Sequence, residues 1–203
     1  SGRLSCALRT LTVSLVLLAT ASISPASTPY TGTPIDIPGT IEAENYDLGG
    51  EGDAYHDTSP GNNGPSTIRG DDVDIEACVD TGGGYNVGWT VAGEWLKYTV
   101  NVVSNGNYTI TSRVASEATT GAFHIEVDDV DVTGSIVVGS TGGWQSWQPR
   151  TSVVALTAGL HVVKLVAEGN DFNINRFDFT LNGPAPAAPT GLQVDSVGVN
   201  TVN

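Results

Sequence analysis

Apolar residues in this chain recur at every second position, in short runs that Gly, Asn and Asp interrupt about every 8 to 12 residues. From Glu94 to Val103, Leu96, Tyr98, Val100 and Val102 fall on one face. After Ser104-Asn105-Gly106, Tyr108, Ile110, Ser112 and Val114 do the same, and Phe123, Ile125 and Val127 repeat the pattern between Ala122 and Asp128. Further runs are expected at 40–44, 72–78, 135–138, 152–156, 160–167 and 174–181. A period of two cannot bury one side of a helix, but it matches a strand with one face inward and one in water. Helical signals are almost absent. The expected fold is therefore all-β, an antiparallel sandwich of two packed sheets.

The alternation does not fill all 203 residues. Leu11 to Ala21 is a short apolar stretch behind Arg3 and Arg9, with Ala26 and Ser27 after it. This reads as a secretion signal over 1–27, too short to cross a bilayer, which takes roughly 20 apolar residues. Residues 28–36 are then a linker and 37–182 the sandwich. The stretch 183–189 is a Pro/Ala-rich connector of extended type. The start of a further, truncated domain follows at 190–203, where Leu192, Val194 and Val197 begin a strand-like run.

The chain carries 22 acidic against 8 basic residues, a net charge of −14. Nucleic acid demands Lys and Arg to neutralise phosphate, so it is not the expected partner. No segment after the signal is long and apolar enough for a membrane. Of the two cysteines, Cys6 lies in the signal and Cys78 is left alone, so no internal disulfide ties the sandwich. The expected location is extracellular.

Two stretches resist the strand reading. Asp47 to Gly70 is long, polar and rich in Gly, with Gly49-Gly-Glu-Gly52 and Tyr55-His-Asp57 within it. Loops of this length are uncommon and usually functional. The second is Gly139 to Trp147, a glycine-rich turn beside two tryptophans. Exposed aromatics next to glycines suit a sugar ring, whose C–H face stacks on a flat side chain while Asn, Gln or Glu takes the hydroxyls at its edge. Trp144 at the loop tip is the expected ligand-facing indole. Trp89 is expected in the core and Trp147 in a structural role, while residue chemistry leaves Trp95 and Tyr85 undecided.

At this point several motifs come together. Ile41-Glu-Ala-Glu-Asn-Tyr46, Tyr85-Asn-Val-Gly-Trp-Thr90, Gly93-Glu-Trp-Leu-Lys-Tyr98, Thr141-Gly-Gly-Trp-Gln-Ser-Trp147, and Phe172-Asn-Ile-Asn175 with Phe177-Asp-Phe179 resemble carbohydrate-binding module family 6, in order, across 37–181. The resemblance implies a jelly-roll sandwich of galactose-binding-like type, joined in the full-length chain to a catalytic domain that acts on polysaccharide. It implies a sugar ring held between Tyr85 and Trp144 over Asn173. It also implies a structural Ca2+ held by Glu42, Glu44 and Asp178 with a carbonyl near Arg69. Within the family the early loop resembles members that accompany enzymes acting on β-1,3-glucan or agar. That makes laminarin the first expected ligand, with agarose or xylan as the alternatives. Glu51, Tyr55 and His56 from that loop are expected to wall off one end of the pocket and favour chain ends.

Catalysis is the weaker expectation. No Cys/His cluster has zinc spacing, and no Gly-x-Ser-x-Gly elbow or phosphate loop occurs. The carboxylates are numerous, but a glycosidase pair needs an enclosed groove in a larger scaffold. A structural or adhesive sandwich is the remaining rival, and it would bury Trp144 or engage it with protein.

Overall fold

The structure, a computed structural model, describes residues 27–183. The expected signal, connector and further domain lie, apart from Ser27 and Gly183, outside the described residues. Thirteen strands form two sheets. One sheet contains β1 (Ile35–Ile37), β6 (Trp95–Val102), β12 (Gly159–Ala167), β8 (Ala122–Val127) and β10 (Ile136–Val137) in that order, with β3 (Tyr55–His56) on β6 and β9 (Val130–Asp131) on β8. The other orders β11 (Gly143–Leu156), β7 (Gly106–Ser116), β13 (Asn173–Gly183), β5 (Tyr85–Val87) and β4 (Ile75–Ala77), with β2 (Gly39–Glu42) on β13. Pairing is antiparallel except between β1 and β6. This is the antiparallel sandwich that the alternation predicts, in the jelly-roll form that the resemblance implies.

The alternation becomes a core. Leu96, Tyr98, Val100 and Val102 of β6 are buried, as are Phe123 and Ile125 of β8, Val163 and Leu165 of β12, and Tyr108, Ile110 and Val114 of β7. Ile174, Phe177 and Phe179 of β13 meet them from the second sheet, with the Tyr98 and Phe177 rings edge-on at 5.9 Å. Each large side chain removed from water stabilises the fold by about 1.5–3 kcal/mol. That suffices for a domain without a disulfide.

Residues 28–36, expected as a linker, are instead built into the sandwich. Thr28 exchanges backbone hydrogen bonds with Leu48, Ser27 Oγ donates to Asp47, and Ile35 begins β1. Tyr30 adds a ring over the Arg69 guanidinium.

The ladders are regular in their middles; register shifts fall near their ends, one of them between Leu181 and Gly183 at the far end of β13. In β11 the register steps from Gly143 opposite Ser116 to Gln148 opposite Val114. Four residues, Trp144 to Trp147, therefore stand where β7 spends only Ala115. In β13 a second shift falls between Ile174 and Arg176. Bulges of this kind bend a strand and re-aim its side chains. The β11 shift lies within the Gly139–Trp147 stretch that the sequence singles out.

The expected Ca2+ site does not form. Among the described residues no group of three or more His, Cys, Asp and Glu side chains is placed to hold a metal ion. The strand does not continue through Glu44: Ala43–Asn45 turn into a 3₁₀ helix, which removes the two-residue periodicity that would align Glu42 with Glu44. Arg69 brings a cation of its own, donating to the carbonyls of Glu44, Tyr46 and Asp47. Asp178 is engaged by Thr40 Oγ1 and Arg176 Nε. Glu44 alone keeps a buried oxygen without a partner, and desolvation lifts its carboxyl to about 7. One such oxygen is far from the roughly six to eight that calcium takes.

Candidate functional site

The β11 bulge turns Trp144 outward, where it is 41% exposed, and turns Trp147 inward, where it is 8% exposed beside Cys78 and Ala115. Trp144 lines a cleft of about 210 Å³ together with Glu76, Trp89, Asp171 and Asn173. Trp89 corrects the sequence expectation: it is 45% exposed rather than in the core. Tyr85, expected opposite Trp144, is half-buried at the start of β5, packs against the core and does not line the cleft. The second indole of the cleft is therefore Trp89, four residues further on.

Amides hold the floor. Asn173, 3% exposed, donates through Nδ2 to Glu76 Oε1 at 2.9 Å and to the Trp144 carbonyl at 2.8 Å. Gln145 Nε2 donates to Glu76 Oε1 at 2.8 Å and to Asn86 Oδ1 at 3.0 Å, while its Oε1 accepts from Val79 N and Trp147 Nε1. Both amide hydrogens of Asn173 are thus used within the protein. Its Oδ1 remains as an acceptor, set so close to Gly88 that a Cβ there would come within 2.6 Å. Glycine at 88 is what admits the amide.

The rim is held in unusual backbone. Trp89 has φ 50° and Asp171 has φ 61°. A bulky side chain rarely adopts the left-handed region, at a cost of order 1–2 kcal/mol, and such residues cluster where a site needs them. Thr90 ties the two turns together. Its Oγ1 donates to Phe172 O at 2.8 Å and accepts from Phe172 N at 3.0 Å, and its carbonyl accepts from Asp171 N at 2.9 Å. Ser116 Oγ donates to Asp171 O from the other side.

A neighbouring loop is fixed by charge. The Asp80 side chain, 5% exposed, accepts from Arg113 Nε at 2.9 Å and from Asn175 Nδ2 at 3.0 Å. The Arg113 hydrogen bonds, helped by Asn175 and working against burial, pull its carboxyl down to about 2.

Glu51, Tyr55 and His56 stand elsewhere. Tyr55 is 4% exposed with its ring against Tyr46, so it has no face to offer a ligand. His56 contacts Glu51 and lies 6.3 Å from the Trp95 ring, on the strand β3 that pairs with β6. None of the three lines the cleft, which removes the end wall expected of that loop.

Two open indoles over an amide floor suit a pyranose, whose C–H faces stack on flat rings and whose hydroxyls pair with amides and carboxylates. Residues 66–181 match the family model for carbohydrate binding module (family 6), more than half of the chain. The chain belongs to carbohydrate-binding module family 6. Among solved structures, the module is similar to the C-terminal family 6 module of LamC, a marine laminarinase from Zobellia galactanivorans. There the identity is 31% and the TM-score 0.54, covering 70% of this chain and 98% of that one. It is also similar to a β-1,3-glucan binding family 6 module from Bacillus halodurans, at 30% identity and TM-score 0.55, covering 72% and 98%. Among whole proteins it is 31% identical over 146 residues to the clotting factor G alpha subunit of Tachypleus tridentatus. That match covers 69% of this chain but only 19% of the relative. Modules of this family are accessory and non-catalytic; this one binds carbohydrate and is not itself an enzyme. No helix among the described residues is long and apolar enough to cross a membrane.

Proposed function

We propose that the module is the polysaccharide-targeting unit of a secreted glycoside hydrolase, that its ligand is β-1,3-glucan, and that the sugar sits in the cleft of Trp144, Trp89, Asn173 and Glu76. The observation that carries the site is the convergence of two exposed indoles on one amide-backed cleft. Each indole covering the apolar face of a ring contributes on the order of 1–2 kcal/mol. Less the cost of ordering, this gives a site in roughly the micromolar to millimolar range. Such affinity is enough for targeting, because a tether raises the local concentration of an attached enzyme without altering its chemistry. Secretion rests on the apolar run Leu11 to Ala21 behind Arg3 and Arg9.

The linkage rests on the laminarinase and β-1,3-glucan-binding relatives. Xylan is the second reading, supported by similarity at 33% identity to an endo-1,4-β-xylanase A of Thermoclostridium stercorarium. Titrating the module with laminari-, xylo- and neoagaro-oligosaccharides of equal length decides between them. The laminari series is expected to bind at least about tenfold more tightly. Equal or tighter binding of the xylo series would replace the ligand named here, and no binding of any series would leave a structural sandwich.

A further inference from the structure

Two of the residues lining the cleft are carboxylates, Glu76 and Asp171, and among the described residues no Lys or Arg lines it. Basic side chains elsewhere in the same sheet are engaged. Arg113 and Arg176 are spent on Asp80, and Arg150 donates to the carbonyls of Val137, Val138 and Pro149. Glu76 Oε1 is used by Gln145 and Asn173, while Oε2 accepts no hydrogen bond from the described residues. Asp171 is exposed at the rim, and its left-handed backbone is anchored by Thr90 and Ser116. With both Asn173 hydrogens turned inward, Asn173, Glu76 and Asp171 offer a ligand acceptors, and the indole N–H groups of Trp89 and Trp144 are the donors among the lining side chains.

We propose that Glu76 and Asp171 make this cleft discriminate sugars by charge, refusing units that carry a carboxylate or sulfate and holding a pyranose with a free ammonium group more tightly than its neutral counterpart. This rests on the cleft being the sugar site. A neutral sugar donates its hydroxyl hydrogens to the acceptors. An ammonium supplies three donors and a positive charge, which makes the hydrogen bonds charge-assisted. A uronate replaces one hydroxyl donor with a carboxylate, an acceptor of like charge. Asp171, which makes no ion pair among the described residues and accepts only a long hydrogen bond, 3.5 Å, from Thr120 Oγ1 on its carboxylate, is the specificity-determining residue at the rim, and Glu76 is its counterpart at the floor.

The experiment is calorimetric titration with β-1,4-linked trimers of glucosamine, glucose and glucuronate at about pH 6, where the amine is protonated. Laminaritriose serves as the reference ligand. At low salt the glucosamine trimer is expected to bind about three- to tenfold more tightly than the glucose trimer, and the glucuronate trimer to bind more weakly by a similar factor. The spread should shrink in about 0.5 M salt, where the screening length is only a few ångströms. In Asp171→Asn it should narrow at low salt as well. Asparagine tolerates the left-handed backbone at this position, so the variant keeps the fold. Affinities within about twofold of each other across the three trimers at low salt, or a spread that Asp171→Asn leaves unchanged, would overturn the inference while leaving the sugar site standing. No binding of any trimer or of laminaritriose would overturn both.

Discussion

Trp95 and Trp144 stand in opposite circumstances. Trp95 begins β6, on the outer face of a regular ladder, and cations already cover it: Lys97 Nζ lies 4.9 Å and Lys164 Nζ 6.0 Å from its ring centre. Around it the face is closed by pairs, Lys164 with Glu126 and Asp129, and His124 with Glu126 and Glu168. Trp144 stands where the ladder fails, on the β11 bulge, and among the described residues no ring or cation contacts its indole. Regular sheet gives every side chain a neighbour across the strand, and neighbours of opposite character find each other. Breaking the register is what leaves an aromatic face without one. The cleft therefore gathers several irregularities: a register shift in each of two strands and two left-handed residues at the rim.

The sharpest test sets the two indoles against each other. Trp144→Ala should cost about 2 kcal/mol of binding, roughly 30-fold, with the far-ultraviolet spectrum unchanged. Trp95→Ala should change affinity by less than about twofold, because ammonium groups and not sugar occupy that ring. Titration of both variants with the preferred oligosaccharide reads the difference. Equal losses would erase the distinction drawn between regular and irregular surface.

Thr90→Val probes what holds the irregular region in place. The substitution keeps the shape but leaves the buried Phe172 N–H and C=O without their partner, at a cost of about 1–3 kcal/mol in stability. It also frees the two turns that carry Trp89 and Asp171, so affinity should fall with stability, by about threefold or more at a temperature where the variant is fully folded. Urea unfolding and titration of one preparation measure both. Unaltered affinity in a destabilised protein would mean that the rim does not depend on this tie.

How far the sequence could be read follows the same division. The long runs of β6, β7, β8, β12 and β13 were legible because alternation is a statement about regular strands, and their inward residues are the core. Trp144 was legible through Gly142 and Gly143, and Trp147 through its distance from them. Trp89 was not. Its spacing in an apolar run suits a buried residue, and nothing in a period of two announces a left-handed turn. Gly88 was the available signal, since it makes room for Asn173. Tyr85 sits at the start of a three-residue strand, too short for alternation to decide its side. Glu51, Tyr55 and His56 looked functional because their loop is polar, yet loop polarity does not say which end of a sandwich a loop reaches. The Ca2+ expectation depended on a strand continuing through Glu44, and on Arg69 supplying a carbonyl where it supplies a guanidinium.

The smallest expected effect is the most informative about why the rim is strained. Trp89 is 45% exposed, so more than half of its surface is buried and any truncation gives up that packing; Trp89→Ala is therefore the reference for Trp89→Gly. Its φ of 50° is one that glycine adopts freely, whereas an L side chain there costs of order 1–2 kcal/mol. Glycine also gives the unfolded chain more freedom, which offsets about 0.5–1 kcal/mol of that relief. Trp89→Gly should therefore be as stable as Trp89→Ala or up to about 1 kcal/mol more stable, while both weaken sugar binding by about fivefold through loss of one stacking face. Greater stability of Trp89→Gly than of Trp89→Ala in thermal unfolding, with both binding weakly in titration, would identify the strain as something maintained for binding. Lower stability of Trp89→Gly than of Trp89→Ala would mean that the left-handed turn at the rim stores no strain.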